Sequence, residues 1–471
     1  PHAARRDAAA FGTILPMRRS PETLLEDALA IWRAGVAAVD SERLVREFVR
    51  IEGSELALGD YHLSLRDLGR IVVVGAGKAG AGMARGLEAA LGPEHRRLSC
   101  LINVPADCAA TGGVIELLPA RPAHRNEPAP EGVAGARRML KLVASLRPND
   151  LCICLLSGGG SALTPAPRDG LTLEDKLSVT RFLASRGANI EELNTVRKQL
   201  SDFKGGRLAS ACRAGVLATL VISDVMGDRL DLIASGPTYP DSSTPAEALA
   251  ILEQFGASGE PWFVRVSKVL RSSAPPPPPP TAEVHHFVIG NNALAVDAAG
   301  IEAERRGYSH AMTSSRRLEG DAEELGRRLA RLAMQMRREN GPDCLISGGE
   351  PVVAWHGGAE RGKGGRNQQL ALAAAMEMGD GAEGIVFLSG GVDGEDGPTD
   401  AAGAWVDATT MRRAAQLGVA AAAHLARQDA YPFFEKVGGL IKTGPTHTNV
   451  GDLRVIVVDR IEAERHQAAQ R

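Results

Sequence analysis

Two glycine-rich segments of the sequence each contain a basic side chain. In "GAGKAG", Lys78 lies in a turn that follows an apolar run, and in "GKGGRNQQ", Arg366 comes directly after two glycines. Glycines let backbone N–H groups approach an anion closely, and an arginine at a helix start adds a planar, permanently charged donor. Both segments therefore predict a site for phosphate or carboxylate. The alternatives are an ordinary tight turn around Lys78 and a solvated loop before Arg366.

A Ser-Gly-Gly sequence follows an apolar run at three places in the chain. "LLSGGGSAL" begins at Leu155, "LISGGEPVV" at Leu345 and "FLSGGVDGEDGPTD" at Phe387. One such turn could simply use the positive φ that glycine tolerates, but three of them on strand ends indicate turn chemistry that is used repeatedly. We expect the first turn, Ser157 to Ser161, to bring its backbone close to a phosphate.

The "GAGKAG" turn also matches the dinucleotide fingerprint G-x-G-x-x-G through Gly75, Gly77 and Gly80. The acid that would bind a ribose is expected near the end of the next strand, but "LSCLINVP" offers Asn103 there. Lys78 beside a helix N-terminus favours a bare phosphate or carboxylate over a nicotinamide dinucleotide. The sequence lacks both a Walker A motif and the kinase catalytic-loop signature, so any ATP chemistry would need another design.

Carboxylates gather in two loops that follow apolar runs. Such side chains suit Mg²⁺ binding or acceptance of a hydroxyl proton, and they equally suit Asx-turns and helix caps. The loop "SDVMGDRLDLIASGPT" contains Asp224 and Asp228, and the loop "GGVDGEDGPTDAAGA" contains Asp393, Glu395, Asp396 and Asp400.

The composition is that of an ordinary globular chain. Its 471 residues include 54 Lys+Arg and 57 Asp+Glu, for a formal net charge of −3, and 44% are hydrophobic. This balance gives no broad positive field for nucleic acid or an anionic membrane. No apolar run reaches the roughly 18–20 residues of a membrane-spanning helix, and the six cysteines lack CxxC spacing. We therefore expect no nucleic-acid partner, no membrane partner and no structural zinc.

Alternating helix and strand patterns must position these residues. Two amphipathic helices are predicted from Pro21 onward. Ser20 is the expected N-cap of the first, and Asp40 or Ser41 that of the second. The apolar strands and helices that follow predict an α/β fold with a doubly wound, mostly parallel sheet. Six prolines at 275–280 predict a linker. We expect a tail at 1–20, one α/β domain at 21–274 and a second at 281–471, with ligands at the carboxyl ends of the strands.

Eight motifs occur together in an order that points to one enzyme family. They are "VVGAGKAGAGMA", "LLSGGGSALTPAP", "ELNTVRKQLSDFKGGRLA", "ISDVMGDRLDLIASGPT", "LISGGEPVV", "GKGGRNQQLAL", "LSGGVDGEDGPTDAAGAWVD" and "KTGPTHTNVGDLRV". Across about residues 21–458 the chain resembles the class II glycerate 2-kinases that carry a C-terminal MOFRL domain.

The resemblance implies ATP-dependent phosphorylation of D-glycerate to 2-phosphoglycerate with Mg²⁺. It implies an active site in the cleft between a Rossmann-like domain and a MOFRL-like α/β domain, with Lys78 and Arg366 as catalytic residues. As metal ligands we predict Asp224 and Asp393. The predicted cofactor-binding residues are Ser157, Gly158, Gly159, Gly160, Ser161, Lys198, Gly364 and Gly365. We expect a cytoplasmic monomer or homodimer whose partner is its small-molecule substrate.

Two other functions stay open on the sequence. An NAD(P)H-dependent hydroxypyruvate reductase would need a ribose-binding acid beyond the "GAGKAG" turn. A non-catalytic protein that binds a sugar acid or a nucleotide would show binding without turnover.

Overall fold

The computed structural model describes residues 19–109, 113–123, 127–272, 278–317, 319–354 and 362–460, and within them the strands form three sheets. The helices are α1 (Pro21–Ala38), α2 (Ser41–Phe48), α3 (Gly80–Leu91), α4 (Pro130–Ala144), α5 (Gly160–Leu163), α6 (Leu173–Ser185), α7 (Ile190–Gln199), α8 (Arg207–Ala211), α9 (Pro245–Gln254), α10 (Phe263–Arg271), α11 (Asn292–Arg305), α12 (Ala322–Arg338), α13 (Arg366–Met378), α14 (Thr410–Gln416), α15 (Ala421–Ala426) and α16 (Ala430–Val437). The strands are β1 (Val49–Glu52), β2 (Glu55–Leu58), β3 (Tyr61–Ser64), β4 (Ile71–Ala76), β5 (Leu98–Pro105), β6 (Leu117–Arg121), β7 (Leu151–Ser157), β8 (Val216–Ile222), β9 (Glu283–Gly290), β10 (His310–Ser314), β11 (Cys344–Gly349), β12 (Ile385–Gly391), β13 (Gly403–Val406), β14 (Leu440–Ile441) and β15 (Asp452–Val458). Most of the predicted tail and residues 275–277 of the predicted linker lie outside the described residues.

A parallel sheet forms the core of the first α/β unit, which comprises residues 40–290. Its strand order is β6-β5-β4-β7-β8-β9, and every neighbouring pair is parallel. Along β4, Ile71 and Val73 join one apolar cluster while Val72 and Val74 join another, so both faces of the sheet are covered. The order reverses between β4 and β7, and ligands of such sheets bind at this switch point. The predicted doubly wound sheet is confirmed.

A mixed sheet forms the core of the second α/β unit, which comprises α1 and residues 291–460. Its order is β10-β11-β15-β12-β13-β14, with β10 and β11 parallel and the other pairs antiparallel. β15 lies between β11 and β12, whose ends are the second and third Ser-Gly-Gly sequences. Asp452, the first residue of β15, is in register with Gly349 on one side and Gly391 on the other. The second α/β domain is confirmed, with a sheet that is mostly antiparallel.

The described chain crosses between the two units at both ends of the first. α1 packs on α11, β12 and β15 of the second unit, and the buried Trp32 indole N–H donates to the Gly390 carbonyl oxygen at 3.4 Å. β9 follows the proline segment but pairs with β8 at the edge of the first sheet. Strand pairing and helix packing therefore join segments that are far apart in sequence, and a division at residue 281 would separate β9 from β8.

Helices α6, α7, α9 and α10 form a separate apolar cluster in the first unit, around side chains that include Val179, Val196 and Trp262. Capping boxes at Thr172 and Asn189 fix the starts of α6 and α7. These two helices follow the first Ser-Gly-Gly turn in sequence, and they form one wall beside it. Among the described helices, none combines the length and the apolar character needed to cross a bilayer.

Candidate active site

Two glycine turns interlock at the switch point of the first sheet. Lys78 follows β4, and the Ser157–Ser161 turn follows β7. The Lys78 backbone N–H donates to the Gly158 carbonyl oxygen at 2.9 Å, and the Ala79 N–H donates to Ser157 Oγ at 3.0 Å. Ser157 is completely buried by this arrangement, whereas Ser161 at the far end of the turn is partly exposed. Ser157 therefore fixes the position of Lys78.

The Lys78 side chain spans the gap between the two units. Its Nζ lies 2.7 Å from Asp393 Oδ2 and 2.6 Å from Glu395 Oε2, on the loop that follows β12. Burial by itself lowers the pKa of the Lys78 ammonium, but the two carboxylates outweigh it and raise the pKa above its ordinary value. Lys78 is therefore a fixed cation, and its third N–H is available to a ligand.

Arg366 is held by carboxylates at the strand ends of the second sheet. It is the first residue of α13, and its Nε and Nη2 donate to Asp452 at 2.7 and 3.0 Å. Its Nη1 donates to Glu350 Oε1 at 2.7 Å. Asp452 is fully buried, so this bidentate pair is short and rigid. Burial raises the pKa of the Glu350 carboxyl, and the neighbouring Arg366 charge opposes that rise.

The acids of the two predicted loops have different roles. Asp396 is buried at the start of α13, where its oxygens accept the backbone N–H groups of Asn367 at 3.0 Å and Gln368 at 2.8 Å. Asp400 accepts from the Tyr431 hydroxyl, and Asp228 accepts from the Asn291 amide. Asp396 therefore caps the start of α13, and Asp400 and Asp228 contact side chains of other segments, whereas Asp393 and Glu395 contact Lys78.

Asp224 lies beyond the end of β8, in the electrostatic field of both cations. Its Oδ2 accepts from Asn449 Nδ2 at 3.1 Å. Burial, followed by the nearby Glu350 charge, raises the pKa of Asp224 to about 7, while Lys78 and Arg366 act in the opposite direction. A Cβ at Gly158 would overlap both Asp224 and Asn449, so glycine lets these two side chains lie against the turn. Asn449 lies in the motif "KTGPTHTNVGDLRV" but was not among the predicted site residues.

The structure does not bring Lys198 to the Ser157–Ser161 turn. Lys198 is buried with its Nζ 3.4 Å from Asp241 Oδ1. Instead, Arg197 Nη2 donates to Ser161 Oγ at 2.6 Å, and Lys204 Nζ donates to the same oxygen at 2.9 Å. Neighbouring residues on a helix face directions about 100° apart, which explains why Arg197 and not Lys198 reaches the turn.

Gly364 and Gly365 lie where the chain enters α13. A Cβ at Gly365 would overlap Asp396, so glycine lets this carboxylate approach the helix start. The described residues contain no group of three or more His, Cys, Asp or Glu side chains arranged to hold a metal ion. Mg²⁺ is commonly bound through one or two carboxylates together with substrate phosphates, and a cation beside Asp224 would stabilise its ionised form. Asp224 therefore fits this kind of site.

Fold and site together define a two-unit α/β protein in which two cations, Lys78 and Arg366, are held by carboxylates at the strand ends. Residues 27–271 match the family model described as "Domain of unknown function (DUF4147)", and residues 343–452 match the MOFRL family. D-glycerate 2-kinase from Thermotoga maritima is 37% identical over 92% of this chain and 98% of its own length. A crystal structure of glycerate kinase from that organism superposes with a TM-score of 0.75 at 36% identity, covering 93% of this chain and 100% of the other.

A further relative, from Agrobacterium vitis, is named "Putative hydroxypyruvate reductase" and is 38% identical over 84% of this chain and 89% of its own length. The chain belongs to the glycerate 2-kinase family with a C-terminal MOFRL domain. The family resemblance that the eight motifs indicate is thereby confirmed.

Proposed function

We propose that the protein transfers the terminal phosphoryl group of ATP to the 2-hydroxyl of D-glycerate, giving 2-phosphoglycerate. The observation that carries the proposal is the convergence of Lys78, Arg366 and Asp224 at the cleft between the units. Relatives named as glycerate kinases cover almost the whole chain. A cytoplasmic location and a monomeric or homodimeric state stay predictions.

Lys78 and Arg366 supply the positive charge that phosphoryl transfer requires. The reaction asks chiefly for positioning and for stabilisation of charge on the phosphoryl oxygens. Their carboxylate partners hold both cations in place before substrate arrives, so little reorganisation is needed during the reaction. The guanidinium of Arg366 has more N–H groups than its contacts with Asp452 and Glu350 use, and we assign the remainder to the glycerate carboxylate or the phosphoryl group.

Asp224 and Asp393 would hold Mg²⁺, which would neutralise charge on the ATP phosphates when bound. Asp393 has one carboxylate oxygen against Lys78 and the other on the Glu395 backbone N–H, so its orientation is fixed. Asn449 fixes Asp224 in the same way. The orientation of each carboxylate is therefore set by hydrogen bonds within the protein.

The contacts of the "GAGKAG" turn favour this proposal over the reductase suggested by the name of the Agrobacterium relative. The Ala79 N–H at the start of α3 is used by Ser157, whereas a dinucleotide pyrophosphate would need the helix start. At the position of the ribose-binding acid, Asn103 is buried and donates to the Leu163 carbonyl oxygen at 2.7 Å. These residues serve the packing of the turns.

The test is to incubate the protein with ATP, Mg²⁺ and D-glycerate and to identify the product by ³¹P and ¹³C NMR. We expect 2-phosphoglycerate from the unmodified chain. Arg366→Lys keeps the charge but loses the planar contact with Asp452, and it should lower kcat/KM by about 100-fold. A parallel assay with NADH and hydroxypyruvate should show no consumption of NADH.

Arg138→Lys is the matched control. Arg138 makes a bidentate contact with Glu116 that is exposed and includes none of the proposed site residues. Exposed pairs contribute little to stability, so this variant should keep its activity. Absence of a phosphorylated product, together with NADH consumption, would contradict the proposal.

A further inference from the structure

A cavity of about 460 Å³ lies beside the Ser157–Ser161 turn, under helix α6. Its lining includes the polar residues Ser161 and Asp224 beside Gly159. It also includes apolar side chains, among them Leu177 and Leu232. Asp224 also lines a neighbouring cavity of about 530 Å³ that reaches Glu350 in the second unit. The first cavity therefore opens towards the proposed phosphoryl-transfer site.

Three cations face this cavity without a carboxylate partner among the described residues. Lys204 is 1% exposed and donates to the Ser161 carbonyl oxygen at 2.7 Å and to its Oγ at 2.9 Å. Lys176 is 7% exposed and donates to the Leu200 carbonyl oxygen at 3.1 Å. Arg197, which is partly exposed, donates to Ser161 Oγ. Neutral oxygens accept all of these hydrogen bonds.

Three cations outside this cluster contact carboxylates. Arg454, which is fully buried, lies 2.9 Å from a carboxylate oxygen of Glu319, and Lys78 and Arg366 each contact two carboxylates. Burying a charge without a counter-charge is costly. Burial, followed by the repulsion of Arg197, lowers the pKa of Lys176 to about 7, and burial likewise lowers the pKa of Lys204. Among the described residues no carboxylate forms an ion pair with these three cations, and the Asp202 charge that favours protonated Lys176 is outweighed by burial and by Arg197.

We propose that this cavity is the nucleotide site, in which Lys176, Arg197 and Lys204 bind the phosphate chain and the apolar side chains of the lining contact the base. The proposal rests on the proposed function, which supplies a nucleoside triphosphate as the phosphoryl donor. The occupant is a nucleotide because a three-carbon acid would fill only a small part of the cavity and would leave its apolar lining uncovered. Asp224 lines the same cavity.

The test measures equilibrium binding, so it does not depend on turnover. The affinities of ADP, inorganic tripolyphosphate and D-glycerate are each measured by titration calorimetry. Lys204→Gln and Arg197→Gln should weaken ADP and tripolyphosphate by about tenfold or more, since each removes one charge-assisted contact. D-glycerate affinity should not change. Lys268→Gln is the matched control, because it removes the same charge from an exposed position on α10 in the same helical cluster.

The outcomes separate this inference from the proposed function. Unchanged ADP affinity in a folded Lys204→Gln variant overturns the inference even if the unmodified chain makes 2-phosphoglycerate. Weakened D-glycerate binding with unchanged ADP binding overturns it too, because the occupant would then be the acid. If ADP binding depends on Lys204 while no phosphorylated product forms, the inference stands and the proposed function fails.

A second measurement on the unmodified chain avoids variants that fail to fold. Lysine side chains are reductively methylated with and without ADP, and the extent of labelling at each lysine is read by mass spectrometry. ADP should protect Lys176 and Lys204 and leave the exposed Lys268 unaffected. Equal labelling of Lys176 and Lys204 with and without ADP would overturn the inference.

Discussion

Four cations around the cleft form two groups that differ in their partners. Lys78 and Arg366 are paired with carboxylates and keep their charge in the absence of a ligand. Lys176 and Lys204 contact only neutral oxygens, so their charged forms are disfavoured until an anion binds. The first group is prepared for the reaction, and the second can respond to the arrival of a ligand.

The low pKa of Lys176 predicts that stability increases with pH. The folded pKa is about 7, against 10.5 for an ordinary lysine, so between these values the unfolded chain binds more protons. The unfolding free energy should therefore rise with pH across this window, by up to about 1.4 kcal/mol per unit from this residue, and should fall as pH drops towards 7. The charges that face Lys176 are those of Arg197, Arg207, Asp202 and Lys204.

Urea unfolding in buffers without phosphate at about pH 7.5 and about pH 9.5 measures this slope. Lys176→Met should reduce it, and Lys268→Met should not, because Lys268 is exposed. Equal slopes in the unmodified chain and Lys176→Met would contradict the prediction.

At this scale the sequence predicts the residues whose role follows from a local motif. Lys78 lies in the turn before α3, and Arg366 is the first residue of α13, as their glycine segments suggest. Lys198 does not reach the turn, because the side of α7 that faces the cavity is decided by packing against α6 and α9. A single sequence does not contain that information, so Arg197 and Lys204 in the same motif were not distinguished from Lys198.

Among the elements, the short turns at strand ends decide the geometry of the site. The first Ser-Gly-Gly turn ties β7 to the Lys78 turn, and the second and third flank the start of β15 at Asp452. All three turns thus lie at strand ends that surround the cleft. In all three, glycine lets a neighbouring strand, loop or carboxylate approach the backbone of the turn closely.

Gly158→Ala should disturb the site more than the fold. The new Cβ would displace the Asp224 and Asn449 side chains, whose ends can move without unfolding the sheet. We expect kcat to fall by about tenfold or more, with a small change in Tm. The measurement is steady-state phosphorylation of D-glycerate beside a thermal melt.

Gly259→Ala is the control, because a Cβ there meets no atom within 4 Å and the residue has no positive φ. It should change neither value. Full activity in Gly158→Ala would show that the Asp224 position is not restricted by the turn.

The element patterns that sequence predicted well are the local ones. The starts of α1 and α2 have the expected side-chain caps, Ser20 and Asp40, and the strand–turn–helix order of the first unit follows its apolar periodicity. The meander β1-β2-β3 and the place of β9 were missed. The choice of a partner strand depends on contacts between distant segments, and the apolar periodicity of one segment does not predict it.

At the scale of the whole molecule, the second unit contains a segment, α1, that is separated from the rest of that unit by the whole first unit. The second unit includes α1, and the first includes β9. The contact of Ser41 Oγ with the His447 carbonyl oxygen, at 2.6 Å, also joins the first crossing to the loop before β15. The second unit is therefore not a continuous stretch of chain, whereas the first, residues 40–290, is continuous.

A chain of residues 281–460 should therefore fail to fold cooperatively. It would leave β9 without its partner β8 and would expose the surface that α1 covers. A chain that joins residues 19–39 to residues 291–460 through a flexible linker should fold, because it restores α1 and omits β9. Urea unfolding followed by circular dichroism, with a dye that binds exposed apolar surface, distinguishes the two chains. A sharp transition in the 281–460 chain would contradict this division.

The position of α1 also affects how the protein is made. Trp32 packs beside Gly390, which lies 358 residues later in the chain. At about 5–20 residues per second, a ribosome needs roughly twenty to seventy seconds to advance from Trp32 to Gly390. Until then the apolar face of α1 lacks β12 and β15, although α11 and the first sheet are made earlier. The first of the described helices to emerge is therefore among the last to reach its final contacts, and its apolar residues are the ones that a chaperone would have reason to shield.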